Sequence, residues 1–339
     1  VFTCGYRGAA VKILVAGALE NPASNVHFIC RTFEKLGQEV LKFDYRAVAK
    51  QEGTDAMHHK LLTLVDSSAP DVLFLVKGER VSSEVVREIA RKTHVALHYM
   101  DSPIHHWLKR LGPLCSSFWV TAGGLVDKYR RLGFRNVHHM VQGVDPAVHR
   151  HIEEDVPNYK CQVAFAGTNK AGRERLLRAV MRAGFDLKIW GTRWPKDMPV
   201  AGEFIGGDDF ARLCFNADIV LGVNDNNRIP DYFSLRTAQT LASRGFHVTS
   251  YVPGLEKWFE NGKHLVWFKI ERKRLPPWQC DYSDCISVIR RYIGSPQERR
   301  RIAACGQEHV YKFFTWEHRL SKVLEKLKEM VGKEKKKGE

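Results

Sequence analysis

The chain has 339 residues, 44% hydrophobic and 27% charged, with a formal net charge of +15. That length exceeds one ordinary core and suits two domains of about 150 residues each. No run approaches the roughly 18 to 20 consecutive apolar residues of a membrane span, and the first residues lack a signal peptide's charged start, apolar stretch and cleavage site, so a cytoplasmic chain is expected.

The first half alternates short apolar runs with amphipathic stretches. "VKILVAGA" (11–18) reads as a buried strand and "VHFICRTFEKLG" (26–37) as a helix stopped by Gly37. Further strands are expected at 39–45, 71–78, 94–101, 116–123 and 137–144, most of them separated by helical stretches. Such alternation predicts a parallel, doubly wound sheet covered by helices on both faces. The polar, proline-containing stretch 145–160 reads as a linker. A second alternation follows, with strands at 161–168, 186–191, 217–224, 246–251 and 264–270 and helices at 171–184, 207–215 and 234–244. A further short helix is expected near Pro253 and Gly254, and helices from 282 onward, the last from about Trp316 to Met330. The expected domains are 1–148 and 149–315, with helix 316–331 packing back on the first and 332–339 as a basic tail. Two Rossmann-like domains in tandem leave a cleft between the carboxyl ends of two sheets, where open α/β sheets bind ligands.

The eight cysteines stand singly, so reduced, mostly buried thiols are expected. Cys280 and Cys285 are the one close pair, and no second pair stands beside them at zinc-ligand spacing. Three His-His pairs, 58–59, 105–106 and 138–139, raise a metal hypothesis, but neighbours in a strand point to opposite faces, and no metal is expected. The positive charge favours an anionic partner: a nucleotide, a nucleic acid or an acidic membrane surface.

Two places suit a diphosphate. In "DYFSLRTAQTLASRG" (231–245), Ser234 is a candidate N-cap, and the N–H groups from Leu235 onward, the macrodipole and the Arg236 fork converge on one spot. In "FAGTNKAGRER" (165–175), a buried strand passes through Gly167 and Thr168 into a helix carrying Arg173 and Arg175. Arginine in a first helical turn is poorly matched to the dipole unless an anion is present. The G-x-G-x-x-G fingerprint and an acidic residue after "LKIWG" are both missing, which points to a nucleoside diphosphate rather than NAD.

Order and spacing carry a resemblance. The strand ending at Gly167 is followed by "GTRW" (191–194), "ADIVLGVN" ending in Asn224, Ser-x-Arg at 234–236, Gly245, "YVPGLEKWFENGKHLVWF" (251–268) and "FTWEHRL" (314–320). This series resembles the spore-maturation (CgeB-type) branch of the GT-B glycosyltransferases, related to glycosyltransferase family 4. "APDVLFLVKGERVSSEVVREI" (69–89), "VALHYMDSP" (95–103) and "NVHHMVQGVDPAVH" (136–149) extend the resemblance over nearly the whole chain. It implies sugar transfer from a nucleoside-diphosphate sugar, a UDP-sugar favoured, to a glycan, protein or lipid hydroxyl. The family pattern has two glutamates framing the donor site; here Asp231 and Gln239 take those places. The second glutamate implies a ribose contact, for which Gln239 is a weaker, neutral acceptor; Asp231 would face the sugar or its phosphate.

Sugar transfer needs charge neutralised on the departing diphosphate and a positioned acceptor hydroxyl. Arg236, Arg173 and the N–H groups after Ser234 can meet the first need without a metal ion, so no cofactor is expected. For the acceptor, "HYMDSPIHH" (98–106) ends a first-domain strand. Asp101 is a general base if the reaction inverts the anomeric centre, an orienting group if it retains it, or simply the cap of a helix opening at Pro103. His98 and His105 are alternative contacts. Lys77-Gly78-Glu79, Gly17 and the following "LENPASN" face the same end of that sheet. Two alternatives stay open. One is a phage-type transferase acting on hydroxymethylated DNA, for which "WLKRL" (107–111) and "YRRLGFRN" (129–136) offer phosphate contacts. The other is a nucleotide-binding relative without catalysis.

Overall fold

The computed structural model describes residues 10–20, 24–170, 172–224, 226–272 and 280–338. They form two units: one of residues 1–121, 125–141 and 316–339, the other of 122–124 and 142–315.

In the first unit the strands are β1 (Lys12–Ala16), β2 (Glu39–Phe43), β3 (Val72–Val76), β4 (His94–Tyr99), β5 (Ser117–Val120) and β6 (Val137–His139). The helices are α1 (Asn25–Lys35), α2 (Tyr45–Glu52), α3 (Thr54–Ser68), α4 (Ser83–Ile89), α5 (His106–Leu111) and α6 (Val126–Arg131). The strands pair in parallel in the order β2-β1-β3-β4-β5-β6, so the chain reverses its direction of travel between β1 and β3. Every residue of β3 and β4 is buried, as a sheet covered on both faces requires.

The second unit contains β7 (Cys161–Ala166), α7 (Arg173–Arg182), β8 (Leu187–Trp190), β9 (Val200–Gly202), α8 (Gly207–Asn216), β10 (Ala217–Gly222), α9 (Leu235–Ala242), β11 (His247–Ser250) and β12 (Val266–Phe268). A two-stranded pair, β13 (Glu271–Arg272) and β14 (Cys280–Asp281), precedes α10 (Ser283–Ile293) and α11 (Pro296–Phe313). Its parallel sheet runs β12-β11-β10-β7-β8-β9, reversing between β7 and β10. Side chains alternate between two cores: Val163, Phe165, Ile219 and Leu221 pack with α7 and α10, while Ala164 and Val220 pack with Phe210 and Leu213 of α8. The last helix, α12 (Trp316–Gly338), belongs to the first unit, packing on α1, with Lys35 Nζ 2.5 Å from Glu317 and His94 Nδ1 3.0 Å from Glu334.

Several expected boundaries move. The run at 137–144 is a strand only to His139, and the helix expected near Pro253 is a single 3-10 turn at Leu255–Lys257. β9 was not expected, because Val200, Ala201 and Gly202 make too short an apolar run to read as a strand, and they are exposed or half-buried. The stretch 145–160 belongs to the second unit and is irregular except for a 3-10 turn at Pro157–Tyr159. Among the described residues Cys30, Cys115, Cys161, Cys214 and Cys285 are buried free thiols and Cys280 and Cys285 are not bonded; Cys4 lies outside them. Burial pushes the Cys30 and Cys161 thiols up to about 12, which leaves them protonated and inert. No helix among the described residues is long and apolar enough to cross a membrane.

Candidate active site

In an open α/β sheet the crevice forms where strand order reverses, beyond the carboxyl ends of the strands. In the second unit that point lies between the loops following β7 and β10. Arg173 spans it: Nη1 donates to the Thr168 carbonyl at 2.9 Å and Nη2 to the Val223 carbonyl at 3.1 Å. Gly167 is held tightly, its N–H donating to Trp190 at 2.7 Å and its carbonyl accepting from Trp194 Nε1 at 3.0 Å. A Cβ on Gly191 would stand 2.0 Å from that same carbonyl, so the loops after β7 and β8 pack backbone to backbone.

Ser234 caps α9, its Oγ accepting from Arg236 N at 3.2 Å. The Leu235 N–H finds no acceptor among the described residues, the ordinary state of a first-turn donor and the basis of anion binding at helix starts. Arg236 is mostly buried, its guanidinium 4.4 Å from the centre of the Phe210 ring. No carboxylate pairs with it among the described residues. Burial holds its pKa below the usual arginine value, and the positive charge of Arg173 pushes the same way. A desolvated cation facing a second cation is a poor structural element by itself and a good seat for a polyanion.

Asn224, a candidate donor-site residue at the end of the β10 motif, has its side chain engaged by neighbouring backbone. Its Oδ1 accepts from Ser234 N at 2.8 Å, its Nδ2 donates to the Ser250 carbonyl at 2.9 Å, and it is 6% exposed. The side chain pins the end of β10 to β11 and to the cap of α9, so it positions Arg236. Asp231, at φ +53°, accepts from Lys257 Nζ at 3.0 Å and Trp258 Nε1 at 3.1 Å. Gln239 lies just past the first turn of α9 with its amide 3.1 Å from His149 Nε2.

A cavity of about 660 Å³ adjoins these loops, lined by Arg175, Asn227, Arg228, Tyr251 and Lys269 among others. Apart from Arg175 these residues were not singled out in the sequence. Their signal is positional, since Tyr251 and Lys269 directly follow β11 and β12.

In the first unit the reversal lies between β1 and β3. Gly17 is there for packing: its N–H donates to Phe43 at 3.0 Å, and a Cβ would stand 2.7 Å from Val26. Of the following loop, residues 21–23 lie outside the described residues. Lys77, with a left-handed φ of +66°, reaches Asp101 at 2.8 Å, the two side chains 32% and 46% exposed. Glu79 is held by Tyr45 Oη at 2.8 Å and by Arg46 at 2.6 Å, a network the sequence did not announce. Asp101 does not cap a helix at Pro103, because α5 opens at His106 with His105 before it. His105 is exposed and stacks on Trp107. His98 is a core histidine and not an accessible contact. It is fully buried in β4 with Nδ1 3.1 Å from the Trp119 carbonyl, and burial lowers its pKa to about 4. His138 stacks on Trp119, while His139 Nε2 lies 3.1 Å from the Thr121 carbonyl. Among the described residues no three potential ligands gather as a metal group.

Two Rossmann-like units, each a parallel sheet of six strands among the described residues with helices on both faces, define the fold as GT-B. Residues 172–325 match the family model described as glycosyl transferase-like, so this segment carries a glycosyltransferase domain. No curated protein matches the sequence. Among solved structures, the chain is similar to Anabaena HepE in complex with UDP and glucose, at TM-score 0.65 and 14% identity, covering 94% of this chain and 99% of that one. Sucrose-phosphate synthase from Thermosynechococcus elongatus is similar at TM-score 0.69 and 12% identity, over 94% and 99%. The catalytic domain of starch synthase IV from Arabidopsis thaliana, bound to ADP and acarbose, is similar at TM-score 0.65 and 9% identity, over 96% and 100%.

Proposed function

We propose that this chain transfers a sugar from a nucleoside-diphosphate sugar, a UDP-sugar by preference, to an acceptor hydroxyl without a metal ion. Arg236 carries the reading: a mostly buried guanidinium with no carboxylate partner among the described residues, beside the open N–H of Leu235 at a capped helix start. In this proposal Arg236, Arg173 and the α9 start neutralise the departing diphosphate, and Gly167 and Thr168 let it approach the backbone. The UDP and glucose bound by HepE support the donor class. Asp101, salt-bridged to Lys77, serves the acceptor hydroxyl as base or orienting group. The acceptor is a glycan, protein or lipid in the cytoplasm or at an acidic membrane surface, and the closer kinship is with the CgeB-type branch and family 4.

The test is thermal unfolding of wild type and Arg236→Ala with UDP, GDP, TDP, their common sugars and NAD(H), followed by donor hydrolysis and transfer assays with and without EDTA. Ligand at 100 times its dissociation constant adds roughly 2.7 kcal/mol, or roughly 5–10 °C for a unit of this size. A nucleotide-specific shift lost in Arg236→Ala, with EDTA-resistant turnover, is the expected result. A shift with NAD(H) alone, or none with any nucleoside diphosphate, refutes the donor site. Binding without hydrolysis or transfer instead identifies a non-catalytic relative, and transfer only to hydroxymethylated duplex DNA identifies a DNA glycosyltransferase.

A further inference from the structure

A second cavity, of about 570 Å³, opens at the other end of the second sheet, beside the amino-terminal ends of β10 and β11. Its lining gathers three guanidiniums, Arg244, Arg299 and Arg300, against two carboxylates, Asp218 and Glu153. Arg299 is committed: it pairs with Asp218 and donates to the Tyr292 and Ile293 carbonyls at 2.6 and 2.8 Å. Arg244 and Arg300 have no hydrogen-bond or ion-pair partner for their side chains among the described residues. Glu153 stands at the mouth, 76% exposed and 4.0 Å from His151 Nε2. The other ring nitrogen of His151, Nδ1, is buried and makes no hydrogen bond. The His151 ring lies 5.7 Å from that of Phe215, which is 37% exposed.

The backbone around Arg244 adds an independent observation. α9 ends with Arg244 N donating to Leu241 at 2.9 Å and Gly245 N to Thr240 at 2.9 Å, a left-handed helix stop that puts Arg244 at φ +58°. Glycine or asparagine is the usual occupant of that position, and a long L side chain there is strained. Its positive charge complements the end of α9, and its side chain lines the cavity. Across from it, α11 starts without a side-chain cap, and Ser295 Oγ donates to the Arg291 carbonyl at 3.2 Å. The α11 start opens on Pro296, which has no N–H, and carries Glu298 in its first turn, so the two guanidiniums are the anion-binding groups on this wall.

We infer that this cavity is a second ligand site, for a phosphorylated small molecule. The phosphate sits between Arg244 and Arg300, and the ring or carbon part lies against Phe215 and His151. Guanidinium forks match phosphate oxygens, and the volume lies within the range of small-molecule pockets. The site is independent of the donor reading, because it shares no residue with the Arg236 seat.

The test is calorimetric titration of the full chain with phenyl phosphate and with inorganic phosphate, in wild type, Arg236→Ala, Arg244→Ala/Arg300→Ala and Phe215→Ala. Phenyl phosphate is expected to bind wild type and Arg236→Ala alike and to weaken at least tenfold in the double variant. Phe215→Ala is expected to weaken phenyl phosphate while sparing inorganic phosphate. Hydrogen exchange should slow over residues 240–246 and 295–303 when phenyl phosphate is present. Arg244→Gly relieves the left-handed backbone, so lost binding with an unchanged or raised Tm separates ligand loss from misfolding. No binding of either probe, binding that survives the double variant, or exchange changes confined to the Arg236 region overturns the inference. Equal binding of both probes that ignores Phe215→Ala overturns the small-molecule assignment.

Discussion

Replacing Arg236 with Met is expected to move two quantities in opposite directions. The guanidinium is mostly buried, lies 4.4 Å from the Phe210 ring centre and is depressed in pKa chiefly by burial, with Arg173 adding repulsion. Exchanging buried charge for an apolar side chain of similar volume gains about 1–4 kcal/mol in other proteins. The cation–π contact forfeited here is worth about 0.5–2 kcal/mol, and a methionine sulfur on Phe210 returns about 0.3–1.5 kcal/mol. The net effect on the ligand-free protein is about 2 kcal/mol of added stability, or roughly 4–8 °C in Tm. For a bound diphosphate the sign reverses, because charge-assisted hydrogen bonds worth about 1.5–3 kcal/mol disappear and affinity falls about 10- to 150-fold. Differential scanning fluorimetry without ligand and titration calorimetry with UDP measure the two effects. A drop of several degrees in the ligand-free Tm, with UDP affinity intact, would refute the reasoning by showing that Arg236 is a structural cation.

Asn224→Ala strands the Ser234 N–H and the Ser250 carbonyl, so it should cost about 2–4 kcal/mol and weaken nucleotide binding through a displaced α9 start; an unchanged urea midpoint would contradict this. The pKa values of His98 and His247 are lowered to about 4 by burial, below the unfolded value. The unfolded chain therefore binds more protons between about pH 6.5 and 4, and stability is lost as pH falls through that window. Each histidine should cost its own unit about 2 kcal/mol between pH 7 and 5. Chemical unfolding at the two pH values measures it, and a His98→Leu first unit that loses just as much would refute the assignment. Asp101→Asn removes a salt bridge between partly exposed groups, worth under about 1 kcal/mol, and should leave Tm nearly unchanged while lowering turnover about 10²- to 10⁴-fold if Asp101 is the base. Full activity in that variant excludes the base role.

The two-domain α/β architecture is written in the chain locally. Buried parallel strands demand continuous apolar runs such as 71–78, helices demand a longer period, and both signals survive in a one-dimensional reading. The Ser234 cap is equally local, because an N-cap acts on amides two or three residues away. Partner choice is different. Arg173 reaches Val223, Asn224 reaches Ser250, and Asp231 is taken by Trp258, each contact created by strand order and loop packing between segments distant in sequence. His98 looked like a site residue because its polarity stands out within an apolar run. Strand pairing and the covering helices leave its whole side chain enclosed. Periodicity records which side chains are withdrawn from water, and so the sequence by itself determined the folding class and the capped helix start at Ser234. Which groups that start and the neighbouring loops bring together was decided only when β7 met β10 in the tertiary structure, because hydrogen bonds and ion pairs act over a few ångströms of space whatever their separation along the chain.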